Sequence, residues 1–167
     1  MTDINEISLS EEEIDEAIEL LFFAYRDFIS DPDKVLADYK IGDSTLGRAH
    51  HRVIHFVGRN PGMTVAELLE ILQITKQSLS RVLRQLLDEG FVRQERGRED
   101  ARQRLLYLTE KGESFEARLA APQKDRFRAA LKAAGPEGHR AFVLVMEQLI
   151  DASAREQVLA LIRKDRG

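Results

Sequence analysis

The sequence predicts a mainly α fold of six helices carrying one two-stranded β-wing, and three observations predict it. Two short capped helices, residues 64–72 and about 76–89, meet across Gln73, Ile74 and Thr75. After Gly90 the apolar period changes from that of a helix to that of strands, over 91–95 and 103–108. Both ends of the chain, residues 10–30 and 110–164, carry long amphipathic stretches with more apolar surface than one small domain covers. A chain of 167 residues is one domain of ordinary size, here 1–167, within which 46–109 forms a compact central lobe.

The elements follow in order. Ser10 and Glu13 have capping-box spacing, and Glu11 and Glu12 add favourable charge at a helix N-terminus, so a first helix is expected over about 11–30. Its apolar stripe includes Ile14, Ile18, Phe22, Tyr25 and Phe28, and should pack on the terminal helices or on a second subunit. Asp31-Pro32-Asp33 is expected to end it, since proline disfavours the helical state of the residue before it. A loop with one helical turn at 34–39 should follow. A second helix over about 46–59 turns Leu46, Ala49, Val53, Ile54 and Val57 inward and stops at Asn60-Pro61-Gly62.

Thr64 with Glu67 opens the third helix in capping-box spacing, and Thr75 is a good N-cap for the fourth. Within 76–89, Leu79, Val82, Leu83 and Leu86 form one buried stripe. Gln77, Arg81, Arg84 and Asp88 share the opposite face, flanked by Lys76, Ser78, Ser80 and Gln85. Arginine can reach guanine O6 and N7 together, glutamine can pair adenine N6 and N7, and Lys, Ser and Thr at a helix start can hold phosphates. Helices joined by so tight a turn are a helix-turn-helix signature. Residues 96–102 form a charged hairpin tip whose arginines could enter a minor groove. Beyond it, Thr109 caps a helix over about 110–134 that Pro122 should kink or divide near 121, and Gly135-Pro136 separates it from a last helix over about 137–164.

The run from Gly62 to Gly112, and above all Asp100-Ala101-Arg102, Leu105, Leu108-Thr109 and Lys111-Gly112, resembles the winged helix-turn-helix of MarR-type bacterial transcriptional regulators. The resemblance implies a homodimer, joined by the N- and C-terminal helices, that binds pseudo-palindromic operators in double-stranded DNA. On that reading Thr75, Lys76, Gln77, Ser78, Ser80, Arg81, Arg84 and Gln85 supply major-groove contacts. Arg98 belongs to the basic tip, Arg102 is the minor-groove arginine, and Asp100 helps fix the wing. The family's small-molecule effectors lodge between the dimerisation helices and the DNA-binding lobe. His50-His51 departs from the family pattern, which more often has a glutamine and a hydrophobic residue there, and this leaves the effector open.

His51 and His55 are four residues apart and could face one metal ion, although no Asp or Glu on the same helix completes a site. The His50, His51 and His55 cluster could instead make DNA affinity depend on pH, because imidazole titrates near neutrality. A winged-helix module that binds a protein partner is the alternative to a DNA reader.

Composition narrows the field. The chain has no cysteine, which excludes disulfides, thiol-based oxidant sensing and cysteine metal sites. Residues 1–13 are acidic and lack a signal peptide's basic start and apolar core, and no apolar run approaches membrane-span length, so a cytoplasmic protein without membrane contact is expected. Net charge is −4, yet Thr75–Arg104 holds eight Lys or Arg against five Asp or Glu, a basic patch on an acidic body that favours one docking orientation. Gly-rich phosphate loops, Gly-x-Ser-x-Gly and His-Glu-x-x-His are all missing from the sequence, so neither an enzyme nor a resident cofactor is expected.

Overall fold

The computed structural model describes residues 7–164; the acidic first six residues, part of the segment read above for a leader, and the last three lie outside the described residues. The order is α1 (Glu11–Ala37), β1 (Lys40–Ile41), β2 (Ser44–Thr45), α2 (Arg48–Arg59), β3 (Met63–Thr64), α3 (Val65–Leu72), α4 (Lys76–Asp88), β4 (Val92–Arg96), β5 (Arg104–Leu108), α5 (Glu110–Leu149) and α6 (Ala152–Arg163). Six helices frame the wing formed by β4 and β5. Two small additions were not expected. β3 pairs with the inner edge of β5, making the order β3-β5-β4, and β1 with β2 forms a minimal antiparallel hairpin. No helix among the described residues is long and apolar enough to cross a membrane.

The core lies in the central lobe. Ile54, Leu68, Leu86, Phe91, Leu106 and Leu119 are each at most 1% exposed, so α2, α3, α4, the wing and the first part of α5 share one apolar interior. Aromatic contacts reinforce it, with Phe91 4.9 Å from Phe115 and 5.0 Å from Tyr39 between ring centres.

Two prolines behave differently from expectation. α1 does not end at Asp31-Pro32-Asp33 but continues to Ala37 and absorbs the turn expected at 34–39. Pro32 cannot donate to the Phe28 carbonyl one turn back, and the side-chain amide of Gln123 on α5 donates to that carbonyl instead, at 3.3 Å. Pro32 is itself buried, so packing further offsets the lost bond. Pro122 likewise leaves α5 undivided; the break comes at Gly135, whose φ of +73° reverses the chain. α5 resumes beyond it, and Phe142 packs edge-on against Phe127, which in turn packs against Phe28 of α1.

The last helix is also shorter than expected. The stretch 137–164 is interrupted at Ile150, whose backbone is extended, and Asp151 caps a new helix by accepting from the Ser153 N–H at 2.8 Å. α2 starts at Arg48 rather than at 46, with Leu46 buried just ahead of it.

The join between the wing and α5 is close-packed. The Thr109 N–H donates to the Phe91 carbonyl at 3.0 Å, the Thr109 hydroxyl donates to the Gly90 carbonyl, and the Gly112 N–H donates back to the Thr109 hydroxyl at 3.1 Å. A Cβ on Gly112 would stand 2.0 Å from the Phe91 carbonyl oxygen, a backbone atom with little room to retreat. Gly112→Ala should therefore destabilise the fold by about 1–3 kcal/mol through overpacking. Thermal unfolding would read this as a melting temperature lowered by several degrees, and an unchanged melting temperature would refute the close packing.

Candidate nucleic-acid interface

The helix α4 is set by its ends and its stripe. The Thr75 hydroxyl accepts from the Ser78 N–H at 3.1 Å and donates to the Ser78 hydroxyl at 2.9 Å, so these two side chains are engaged with each other at the helix start. Leu79, Val82, Leu83 and Leu86 are buried, as their spacing predicts. The exposed surface is left to Lys76, Gln77, Ser80, Arg81, Arg84 and Asp88, with Ser78 half-buried. Gln77, Ser78, Ser80, Arg81 and Arg84 line one shallow concavity along the helix. α3 packs behind, capped by Thr64 and Glu67 in a full capping box, and Gln73 in the left-handed conformation makes the tight turn between the helices.

The wing tip is held by its own backbone. The Gly97 N–H donates to the Gln103 carbonyl at 3.1 Å and the Gln103 N–H to the Asp100 carbonyl at 3.0 Å. The Asp100 carboxylate accepts from the Arg102 N–H at 2.9 Å, so this acid shapes the turn that carries Arg102. Arg98 and Arg102 are exposed. At the strand end of the tip, the Arg104 guanidinium donates to the Ala101 carbonyl at 3.1 Å.

Ion pairing distinguishes these cations from a number of others. Arg26, Lys34, Arg48, Arg93, Arg126, Arg128, Arg140 and Arg163 each sit beside a carboxylate. Among the described residues, Lys76, Arg81, Arg84, Arg98 and Arg102 enter no ion pair. These five therefore place exposed, unpaired positive charge on one helix face and the neighbouring tip, within a segment that carries eight Lys or Arg against five Asp or Glu, and an anionic partner would gain there.

One expected contact residue is redirected. Gln85 is half-buried, with its side-chain oxygen turned inward to 2.8 Å from His50 Nε2. The 35-residue separation of the pair hides it from local spacing rules. Lys111 carries part of the family resemblance, but its structural role is not legible in the sequence. Its ammonium donates to the Glu89 carbonyl at the end of α4 and lies 4.5 Å from the Phe91 ring centre, so a residue of the α5 first turn caps the helix before the wing. A lysine near a helix start gives no signal that it serves another helix's end.

The three histidines of α2 divide. His50 is buried against α4. His51 and His55 are half-buried on the side facing α5, where His55 Nδ1 lies 3.5 Å from the Glu116 carboxylate. Burial holds both imidazoles below the usual histidine range. At His55 the Glu116 carboxylate opposes burial while Arg59 and Lys124 reinforce it; at His51 the charge of His55 reinforces burial while Glu116 and Asp33 oppose it. Among the described residues, no group of three or more His, Asp or Glu side chains is arranged to hold a metal ion.

Comparison with known proteins bears on the same surface. A family model described as "MarR family" matches residues 44–103, which span β2 to the wing tip. The chain is 48% identical over 147 residues to the HTH-type transcriptional regulator PetP of Rhodobacter capsulatus, covering 88% of this chain and 86% of that protein. Among solved structures, Streptococcus pneumoniae FabT in complex with DNA superposes with a TM-score of 0.68 at 18% identity, covering 81% of this chain and 94% of FabT. A MarR transcriptional regulator from Methanosarcina mazei superposes with a TM-score of 0.64 at 22% identity, covering 88% and 93%. At these identities the two structures speak for the fold.

The histidine environment has a consequence for stability. Because His51 and His55 titrate lower in the folded chain than in the unfolded one, the unfolded state takes up protons first as pH falls. Their contribution is thus complete above the ordinary histidine pKa of about 6.5 and is lost below it. Thermal unfolding between about pH 7 and pH 5 should show a shallower decline for the double variant His51→Gln/His55→Gln than for the wild type. Identical profiles would refute this assignment.

Proposed function

The chain belongs to the MarR family, and from that premise we propose that it is a transcriptional regulator that binds double-stranded DNA sequence-specifically. It acts as a homodimer on pseudo-palindromic operators, in the cytoplasm. The observation that carries the reading is the unpaired set Lys76, Arg81, Arg84, Arg98 and Arg102, which presents a groove-sized helix and an adjacent basic tip. That PetP is a transcriptional regulator and that FabT has been crystallised with DNA support it. Arg81 and Arg84 are suited to base edges, Lys76 and Ser80 to phosphates, and Arg102 to the minor groove. The relatives are regulators rather than enzymes, and nothing in this surface resembles a catalytic constellation.

Dimerisation is supported by what α1, α5 and α6 leave uncovered. Phe22 is 70% exposed, Leu20 and Leu144 62% and Leu149 61%, and α6 has no buried residue. Apolar surface of this extent on long helices is characteristic of a subunit interface. A second subunit would also set two copies of α4 about one DNA turn apart, roughly 34–36 Å. Effector control is supported by a cleft of about 670 Å³ between α3 and α6, lined by Met63, Glu67, Ile71, Val158 and Leu161 among others, a volume within the range of small-molecule sites.

Duplex selection from random-sequence DNA followed by titration tests the reading. Affinity for the selected duplex should fall steeply with salt as counterions are displaced, and Arg102→Ala should weaken it further. Arg84→Ala should cost about 1–3 kcal/mol at one base position, whereas Lys76→Ala should weaken all sequences alike and flatten the salt slope by about one. Equal losses for Arg84→Ala on selected and random duplexes would refute base reading. Light scattering should give twice the mass of one chain, and Leu144→Glu should shift the protein toward monomer; a monomeric wild type would refute the dimer.

A further inference from the structure

One hydrogen bond joins α2 to α4 and dictates what α4 presents. His50 is 8% exposed, and each of its ring nitrogens meets a polar group. The Gly47 N–H lies 2.9 Å from Nδ1, and a backbone N–H can only donate, so Nδ1 holds the lone pair. The proton of the neutral ring is therefore on Nε2, which faces the Gln85 amide at 2.8 Å. That amide must turn its oxygen inward, since the opposite orientation would set two donors against each other. Gln85 is thereby left with only its NH2 group to offer outward.

We infer that His50 is a positioning residue for DNA recognition, fixing the roll of α4 and making Gln85 a donor-only amide. The inference rests on the duplex binding proposed above. The apolar contacts of Leu79, Val82, Leu83 and Leu86 hold α4 against the core but are non-directional, so they tolerate small rotations about the helix axis. The bond from His50 is directional and sets that rotation. A glutamine free at both ends can pair with adenine through an acceptor and a donor together; Gln85 cannot. Its partner is a hydrogen-bond acceptor of the duplex, either a phosphate oxygen or guanine O6 or N7. His50 also caps α2 from its N3 position, so the start of α2 and the presentation of Gln85 share one ring.

Two measurements test this. Nitrogen NMR of histidine-labelled wild-type protein near neutral pH should find the His50 proton on Nε2; a proton on Nδ1, or on both nitrogens, overturns the inference. With a duplex enriched by the wild type from a random pool, Gln85→Met and His50→Leu should each weaken binding by about three- to tenfold, the range of one hydrogen bond. The double variant should be no weaker than either single one, because both remove the same bond. His50→Gln should restore most of the affinity, its amide offering an acceptor toward Gly47 and a donor toward Gln85. Losses that multiply in the double variant, or a well-folded His50→Gln that restores nothing, would overturn the inference alone. Failure of the wild type to enrich any duplex would instead bring down the duplex reading and this inference with it.

Discussion

The reading surface depends on a knot of backbone hydrogen bonds where α4 ends and α5 begins. Thr109 donates to both Gly90 and Phe91 and accepts from Gly112, while Lys111 reaches back to the Glu89 carbonyl. Four groups from a single short stretch thereby fix the end of α4, the start of β4 and the first turn of α5 relative to one another. Each bond is individually worth little net free energy, but together they give the carbonyls of Glu89, Gly90 and Phe91 partners at a crowded junction. The wing departs from this junction, so the angle between wing and helix is set here rather than at the tip.

Electrostatics acts on top of that frame. The chain carries a net charge of −4, and Arg26, Arg48, Arg126, Arg128 and Arg163, all outside α4 and the tip, each sit beside a carboxylate. The local excess of positive charge over Thr75–Arg104 gives the surface a preferred docking side. Exposed ion pairs of this kind contribute little to stability, and they lower the local positive potential at those positions. Of the two acids in the tip, Asp100 is engaged with the Arg102 backbone N–H.

What was legible in the sequence was whatever is decided locally. Thr75, the leucine and valine stripe and Gly90 delimit α4, and Thr64 with Glu67 delimits α3, because caps and periodicity involve residues three or four apart. The prolines misled because their cost is offset from afar. The amide that satisfies the Phe28 carbonyl belongs to Gln123, 95 residues away, and no local rule anticipates it. Gln85 sits on the outward side by spacing, yet its oxygen is claimed by His50 from another helix. The interruption at Ile150 did have a local sign, an aspartate followed two residues later by a serine, outweighed by the apolar residues on either side.

The continuation of α1 through Pro32 has a mechanical consequence. The end of α1 from Phe28 to Leu36 is anchored, through Phe127, Gln123 and the core, while the exposed turns over 11–26 form an arm of roughly 24 Å at 1.5 Å per residue. A tilt of about 10° at the anchor would sweep the free end of such an arm through about 4 Å. Leverage runs in the opposite direction too: whatever grips the far end of α1 converts a large displacement there into a small, forceful adjustment beside the core.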